Sequence, residues 1–262
     1  YEQLAKIKDA DIASVVEYPS FVTKIEEEQY RIIQMLIAAQ RKQMSLSNEQ
    51  RQQMMEYYTV WVHQIKTPIA SMKLQLQNED TPFSHNIERD LFRIEQYVDM
   101  VLTYLRLDST STDYVFKEYD IDEVMKKVIR RLSSEFIAKK LTLHFQPSHL
   151  KAVTDEKWIS FVFEQILTNA IKYTNTGSIS IYGVDDGICI EDTGIGIKQE
   201  DLPRIFENGY TGYNGRENQR ATGIGLYLCK RTCDALNHKI TVRSVVDEGT
   251  CVKIEFLQNC KK

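Results

Sequence analysis

The chain has 262 residues, of which 42% are hydrophobic and 27% charged, as is typical of soluble globular domains with a buried core. Its formal net charge of -4 argues against a general nucleic-acid-binding surface, so we expect no nucleic-acid partner. No apolar run approaches the roughly 18 residues that a membrane-spanning helix needs. Tyr1 opens a charged helical sequence without a signal-peptide pattern or a starting Met, so we expect the sequence to be part of a longer protein.

The cysteines are scattered and odd in number: Cys189, Cys229, Cys233, Cys251 and Cys260. Such a set is not typical of a disulfide framework and favours a reducing compartment. Cys229 and Cys233 lie one helical turn apart and His238 follows, so a metal site is one alternative for these residues. No second Cys/His pair completes four ligands, so we interpret these cysteines as small apolar helix residues.

Residues 1–53 are predicted to form a helical lead-in from a membrane segment. Lys24 to Gln53 favours helix but is mostly polar, and its main apolar cluster contains Ile32, Ile33, Leu36 and Ile37. Residues 1–20 are harder to assign, and Pro19 marks a break.

Residues 54–110 are predicted to form a helical hairpin. Apolar residues alternate at spacings of three and four in a first seam, at Met55, Tyr58, Val62, Ile65, Ile69, Met72 and Leu76. Asn78–Pro82 supplies a turn, and a second seam follows at Ile87, Leu91, Ile94, Val98, Val101 and Leu105. One hairpin alone cannot bury both stripes, so we expect a homodimer that forms a four-helix bundle.

Residues 114–262 follow a polar linker, Asp108–Asp113, and differ from the hairpin in that strand patterns occur among the helices. We predict strands at Tyr114–Tyr119, Leu141–Phe145, Ser178–Val184, Gly187–Glu191, Ile240–Val246 and Thr250–Leu257, and helices at Ile121–Leu132, Asp155–Tyr173 and Gly223–Leu236. The clustering of strands and helices favours an α+β fold, in which the hairpin is followed by an α/β two-layer sandwich.

Four stretches of this second domain have chemistry suited to a phosphorylated ligand. In Glu164–Thr174 (EQILTNAIKYT), Asn169 offers a hard oxygen ligand for Mg²⁺, and the Lys172 ammonium can neutralise phosphate charge. In Asp192–Ile197 (DTGIGI), the glycines allow close backbone approach to a flat ligand, and Asp192 can accept from an exocyclic amine.

The other two stretches are Thr222–Leu226 (TGIGL) and Asp247–Thr250 (DEGT). The first places glycine-rich backbone at a helix N-terminus, which is a ready anion site. The second is a turn that could be structural alone. Neither glycine pair of the domain has the third glycine of a dinucleotide-binding fingerprint, and the ordered set is more specific than any one motif.

The order HQIKTP, TNAIKY, DTGIGI, DLPRIFE, TGIGL and EGT resembles the cytoplasmic part of a bacterial sensor histidine kinase, over about residues 24–257. The resemblance implies ATP and Mg²⁺ as cofactors and His63 as the phosphoacceptor. It implies that Asn169 coordinates Mg²⁺, with Gln165 one turn earlier at the metal, and that Asp192 binds the adenine amine. The remaining nucleotide-binding residues that it implies are Lys172, Tyr173, Gly194, Gly196, Thr222, Gly223, Gly225 and Thr250, under a lid formed by Leu202–Phe206 and the following loop.

The HQIKTP motif further resembles the bacitracin-sensor-like subfamily of membrane-embedded kinases, which work beside peptide-exporting ABC transporters. The resemblance implies a response regulator and an ABC transporter as partners. It also implies that this chain is the cytoplasmic domain of a cell-membrane protein, membrane-anchored in its full-length form.

Three residues depart from the family pattern: Gln64, Gln165 and Ala221. Gln64 replaces the acidic residue after the histidine and cannot accept a proton, so we expect slow autophosphorylation unless another carboxylate serves as base. Gln165 replaces a common Asn, and Ala221 replaces a glycine whose loss would stiffen the lid. The resemblance places at Thr67 the group that positions water for phosphatase activity, which Gln64 could assist.

The position of His63 favours phosphoryl transfer. It follows the seam residue Val62, so it should lie at the flank of the bundle, and Pro68 should loosen the helix nearby. Two alternatives stay open: an ATP-operated conformational machine and a non-catalytic dimerising scaffold. Hydrolases that work as ATP-operated conformational machines place a catalytic Glu where Gln165 stands. A dimerising scaffold would not need four nucleotide motifs. We therefore favour an ATP-dependent autokinase.

Overall fold

The computed structural model describes residues 23–77, 81–107, 114–212 and 222–257. The chain divides into two units, one up to Met54 and one from Met55 onward. The first unit contains the start of helix α1 (Lys24–Leu76). Thr23 and Glu26 begin this helix with reciprocal bonds, because each backbone N–H donates to the other's side chain, at N···O distances of 3.0 and 3.3 Å.

The second unit begins with a helical hairpin made of α1 and α2 (Pro82–Leu107). The two helices run antiparallel, since Lys66 pairs with Asp99 at 2.7 Å and Lys73 pairs with Glu95 at 2.5 Å. Helix α1 includes Pro68 without ending there. Within the described ranges, every helix is too short or too polar to cross a bilayer.

Both seams of the hairpin are only partly buried within one chain. The buried apolar seam residues are Val62, Ile69, Leu91 and Val98. Met72, Ile94 and Val101 keep 41%, 44% and 38% of their surface exposed. The apolar surface that the sequence pattern predicts for pairing is therefore available to a second copy.

The domain after the hairpin is a mixed sheet with helices packed against one face. Its elements are β1 (Lys117–Asp120), α3 (Ile121–Arg131), α4 (Ser133–Lys139), β2 (Thr142–Phe145), β3 (Lys151–Thr154), α5 (Glu156–Tyr173), β4 (Ser178–Val184), β5 (Gly187–Asp192), a 3₁₀ turn (Leu202–Arg204), α6 (Gly225–Ala235), β6 (His238–Val245) and β7 (Gly249–Phe256). The main sheet has the order β2-β4-β5-β7-β6, and β1 pairs only with β3. The β2–β4 pair is parallel, and the other pairs are antiparallel.

One core joins the helices of this domain to the inner face of the sheet. Trp158, Val162 and Ile166 of α5 are buried at the successive turns that the helical period predicts. Strand β7 alternates between buried and partly exposed residues, as expected of a sheet covered on one face. The predicted α+β fold is confirmed, although helix α4 and strand β3 were not predicted.

The cysteines and His238 contribute to packing. Cys229 and Cys233 are fully buried on α6. His238 contacts the Thr154 hydroxyl at 2.9 Å and the Phe256 ring. No cluster of three or more His, Cys, Asp or Glu side chains suited to a metal occurs among the described residues. The interpretation of the cysteines as apolar helix residues agrees with this packing.

The predicted domain limits, 1–53, 54–110 and 114–262, stay predictions. Residues 1–20, most of the Asn78–Pro82 turn, the linker Asp108–Asp113 and Cys260 lie outside the described residues.

Candidate active site

A cavity of about 480 Å³ lies where the C-terminal half of α5, the end of β5 and the start of α6 meet. Nearly all of the predicted nucleotide residues line it: Gln165, Asn169, Lys172, Tyr173, Asp192, Gly196, Thr222, Gly223, Gly225 and Thr250. These residues come from motifs far apart in sequence, so the fold assembles them into one site. Gly194 is the predicted residue that does not line it.

Asp192 ends β5 and is 8% exposed. Its carboxylate accepts from the backbone N–H of Gly194 at 2.9 Å and from the backbone N–H of Thr250. Burial nevertheless raises the pKa of Asp192 to about 6. A Cβ at Gly194 would come within 2.6 Å of the Tyr173 carbonyl oxygen, so Gly194 packs behind the site and holds the carboxylate in place.

Two glycines that line the cavity adopt left-handed backbone conformations. Gly196 has φ +68°, and a Cβ there would lie 2.0 Å from the Val245 carbonyl oxygen. Gly223 also has φ +68°, and its carbonyl accepts from the backbone N–H of Gly209 at 3.1 Å. Larger residues would be strained at both positions, so these glycines are required for the shape of the cavity.

The DEGT turn is fixed by Ser244, which the sequence motifs did not reveal. The Ser244 hydroxyl donates to the Gly249 carbonyl at 2.7 Å and lies 2.9 Å from the Thr250 hydroxyl. It also accepts from the backbone N–H of Ile197 at 2.8 Å. One buried hydroxyl therefore ties the DTGIGI loop to the DEGT turn.

The amide side chains of α5 offer the oxygen donors of the site. Gln165 is 7% exposed, and its Oε1 lies 2.9 Å from where a Gly225 Cβ would stand, so it packs on the first turn of α6. Asn169 lies one turn further along α5 and lines the cavity. Amide oxygens are hard ligands, and two of them in one cavity fit the kind of oxygen donor that Mg²⁺ binds.

Lys139 is a basic residue of the cavity that motif reasoning missed. Its ammonium donates to the backbone carbonyls of Ile171, Lys172 and Thr174, at 2.6, 2.9 and 3.0 Å. Burial lowers the pKa of Lys139. The charge thus caps the C-terminal carbonyls of α5 and fixes the turn that carries Lys172 and Tyr173.

The predicted lid begins with an ordered polar cluster. The Tyr210 hydroxyl donates to the Asp201 carboxylate, and the Arg204 guanidinium lies 4.3 Å from the centre of the Tyr210 ring. Arg204 also pairs with Glu207 at 3.1 Å. Residues 213–221, which include Ala221, lie outside the described residues.

His63 and its neighbours lie on the hairpin, and none of them lines the cavity. His63 and Gln64 are exposed directly after Val62, which is 2% exposed. The Thr67 hydroxyl donates to the His63 backbone carbonyl at 3.0 Å. The structure thus brings the nucleotide residues together but does not place His63, Gln64 or Thr67 among them, and their roles stay predictions.

Comparison with known families identifies the domain that contains this cavity as an ATP-binding domain. Residues 154–259 match the family described as histidine kinase-, DNA gyrase B- and HSP90-like ATPases. Two solved structures have a similar fold. ShkA in complex with AMPPNP has a TM-score of 0.55 at 19% identity, over 77% of this chain and 45% of ShkA. The Acinetobacter baumannii histidine kinase AdeS has a TM-score of 0.50 at 20% identity, over 75% of this chain and 98% of AdeS.

Sequence relatives define the family more narrowly. The sensor histidine kinase YxdK of Bacillus subtilis is 34% identical over 82% of this chain and 72% of YxdK. BceS of the same species is 30% identical over 83% of this chain and 65% of BceS. GraS of Staphylococcus haemolyticus is 32% identical over 97% of this chain and 74% of GraS. The chain belongs to the sensor histidine kinase family, the ATP-dependent protein kinases of two-component signalling, and the predicted bacitracin-sensor-like subfamily is confirmed.

Proposed function

We propose that this kinase transfers the γ-phosphoryl group of ATP to His63 and then passes it to an aspartate of a response regulator. The observation that carries the proposal is an exposed histidine beside a buried seam, in the same chain as an assembled nucleotide cavity. An imidazole at that position is open to a second domain and to a separate partner protein.

Nucleotide binding is assigned to the cavity residues. Asp192 accepts from the adenine amine, and the glycine-rich start of α6 offers backbone N–H groups to the phosphates. Asn169 and Gln165 would hold Mg²⁺ together with the phosphates, and the bound ion would neutralise phosphate charge. Lys172 and Tyr173 lie at the same cavity, where Lys172 contributes a further positive charge.

The metal assignment is tested by Asn169→Ala, with Asn86→Ala as the matched control because Asn86 is an exposed amide on the hairpin and does not line the cavity. Mg²⁺-dependent autophosphorylation should fall sharply in Asn169→Ala, while nucleotide binding without Mg²⁺ persists. The control should keep both. Equal losses in the two variants would remove Asn169 from the metal site.

A homodimer is the proposed working state. The seam residues Met72, Ile94 and Val101 expose apolar surface on the hairpin, and a second hairpin with the same stripes would cover them. Burial of these stripes would be the main driving force for assembly.

Gln64 and Thr67 are proposed to set the balance between kinase and phosphatase activity. Gln64 cannot accept a proton from the imidazole, so Gln64→Glu should speed autophosphorylation. Thr67 is proposed to position water for dephosphorylation of the regulator. Its hydroxyl donates to the His63 carbonyl and can still accept a hydrogen bond from that water through its oxygen. Thr67→Ala should lower the phosphatase rate and leave autophosphorylation intact; an unchanged phosphatase rate would exclude this role.

The HQIKTP resemblance supports a further proposal about the cellular setting. We place the chain as the cytoplasmic domain of a membrane-anchored kinase that works beside an ABC transporter. Membrane fractionation of the full-length protein, followed by co-purification with a neighbouring transporter, tests the proposal. Recovery of the full-length kinase without membrane or transporter would contradict it.

A further inference from the structure

The last carbonyl groups of α5 lie beyond the reach of the helix's own N–H groups, and Lys139 of α4 binds most of them. The ammonium of Lys139 has three N–H donors, and they go to the carbonyls of Ile171, Lys172 and Thr174, at 2.6, 2.9 and 3.0 Å. One side chain from a separate helix thus satisfies acceptors on both sides of Tyr173. The Tyr173 carbonyl, which lies between two of them in sequence, is left for another donor.

The donor to the Tyr173 carbonyl comes from the DTGIGI loop. The backbone N–H of Ile195 donates to it at 3.2 Å, and the Ile195 carbonyl accepts from the backbone N–H of Asp247 at 3.0 Å. Gly194, the residue before Ile195, donates its N–H to the Asp192 carboxylate at 2.9 Å. The end of α5 therefore holds the loop that carries a hydrogen-bond donor to Asp192, and the same loop continues to the DEGT turn.

The contact between the end of α5 and this loop is closely packed. Thr174 is fully buried, and a Cβ at Gly194 would lie 2.6 Å from the Tyr173 carbonyl oxygen and 2.7 Å from an Asp192 carboxylate oxygen. The loop can approach this closely because glycine has no side chain. A displacement of the Tyr173 carbonyl would therefore move Gly194 and, with it, the donor to Asp192.

The helix that carries Lys139 is itself fixed to the core. Phe136 of α4 is 6% exposed and belongs to the buried cluster that also contains residues of α5. Lys140 ends α4 directly after Lys139, in the left-handed conformation with φ +55°. Glu135, one turn before Lys139, places an opposite charge near the ammonium. The ammonium is thus held in place from its own helix while it binds the end of α5.

We propose that Lys139 is a positioning residue for recognition of the adenine base. It acts through the Tyr173 carbonyl and Ile195, which set where the DTGIGI loop holds the Asp192 carboxylate. Asn169, the proposed metal ligand, lies one turn before Tyr173 on α5, so phosphoryl transfer from bound ATP depends on Lys139 less than base recognition does. The inference rests on the proposed role of Asp192 as the acceptor of the adenine amine.

The test compares ATP with the triphosphate of purine riboside, which lacks the 6-amine, in the full 262-residue chain. The wild type should bind ATP about tenfold more tightly or better, because the analogue leaves the buried carboxylate without that donor. Lys139→Met keeps the unbranched stem and removes the ammonium. We expect its Kd for ATP to rise about tenfold and its Kd for the analogue to change less than about twofold.

Steady-state autophosphorylation should show the same division. In Lys139→Met, KM for ATP should rise, while kcat at saturating ATP should stay within about twofold of the wild type. A role of Lys139 in folding alone would lower the amount of active protein and would not separate ATP from the analogue.

Two further variants control for loss of charge and for folding. Lys140→Met makes the same replacement at the adjacent exposed position and should leave both affinities unchanged. Lys139→Arg keeps the charge, but the planar guanidinium cannot direct three donors from one nitrogen, so its selectivity should fall between those of the wild type and Lys139→Met. If Lys139→Met does not fold, Lys139→Arg becomes the test variant.

The outcomes separate this inference from the proposed function. Wild-type selectivity for ATP in the tested variant, or equal rises of Kd for ATP and for the analogue, would overturn the positioning role of Lys139. Equal binding of ATP and the analogue by the wild type would instead overturn the proposed role of Asp192.

Discussion

The ATP-binding domain and the hairpin differ in how completely each buries its own apolar surface. In the ATP-binding domain, the inward residues of the central strands, such as Ile179, Ile188 and Ile190, are at most 1% exposed. In the hairpin, Ile94 and Val101 retain more than a third of their surface although they belong to the same seam as the buried Val98. The first region completes its core within one chain, whereas the second leaves a seam for another copy.

The two regions also differ in where their polar groups are fixed. The ATP-binding domain holds buried polar groups such as Ser244 and Asp192 in bonds to backbone, which shapes a cavity before ligand arrives. The hairpin exposes His63 and Gln64 to solvent. A prearranged cavity and an exposed histidine are the two parts that the proposed phosphoryl transfer between domains requires.

The largest expected effect is on the self-contained core. Phe163→Ala removes a fully buried side chain of α5 and should lower the free energy of unfolding of the ATP-binding domain by about 3–5 kcal/mol. Phe83→Ala removes an aromatic ring that is 70% exposed and should cost less than about 0.5 kcal/mol. Chemical denaturation followed by circular dichroism measures both. Similar costs for the two variants would contradict the assigned core.

The next effect is on the seam between copies. Ile94→Asp should cost about 3 kcal/mol of dimer stability, because it places an unpaired charge in an interface between hairpins. Leu74→Asp adds the same charge at a residue that is 66% exposed and lies off the seam, so it should leave assembly intact. Analytical ultracentrifugation at several concentrations measures the dimer. A dimer of unchanged affinity in Ile94→Asp would place the interface elsewhere.

A smaller effect is expected at Asp192, where replacement of the carboxylate should raise the stability of the fold but weaken ATP binding. Burial raises its pKa to about 6, above the ordinary value of 3.8, so the folded state favours the protonated form. The resulting stability is fully present below pH 3.8 and is lost as pH rises through about 6. Asp192→Asn should therefore raise the free energy of unfolding at pH 7 by about 1–3 kcal/mol while it weakens ATP binding.

Thermal denaturation and nucleotide titration from pH 5 to pH 8 measure both effects at Asp192. Wild-type ATP affinity should fall as the pH drops below about 6, where the carboxylate becomes protonated. Asp186→Asn, in the exposed turn between β4 and β5, is the matched control and should change neither quantity. A destabilised Asp192→Asn that binds ATP normally would contradict this assignment.

Local signals allowed most of the fold to be predicted, and together with the family resemblance they indicated the residues that line the cavity. Asp155 accepts from the backbone N–H groups of Lys157 and Trp158, which is why α5 begins where the sequence predicted. The glycine motifs indicated where the loops of the cavity lie. Gly196 and Gly223 adopt the left-handed backbone conformation, which favours glycine.

Features that depend on contacts between distant segments could not be predicted in this way. Helix α4 and strand β3 are short, and their periodic signal is too weak to separate them from loops. Lys139 enters the site because α4 packs beside the end of α5, and Gln96 of α2 enters because its amide donates to the Thr168 hydroxyl of α5. A helical-wheel search of α2 could have found Gln96, but not this partner.

The central claim is that His63 receives the phosphoryl group, and one measurement tests it most directly. The wild-type chain and His63→Ala are incubated with γ-labelled ATP and Mg²⁺, and the bound label is then treated with acid and with base. We expect the wild type to carry a label that is lost in acid and kept in base, and His63→Ala to carry none while still binding ATP. Full labelling of His63→Ala, or a label in the wild type that survives acid, would contradict the claim.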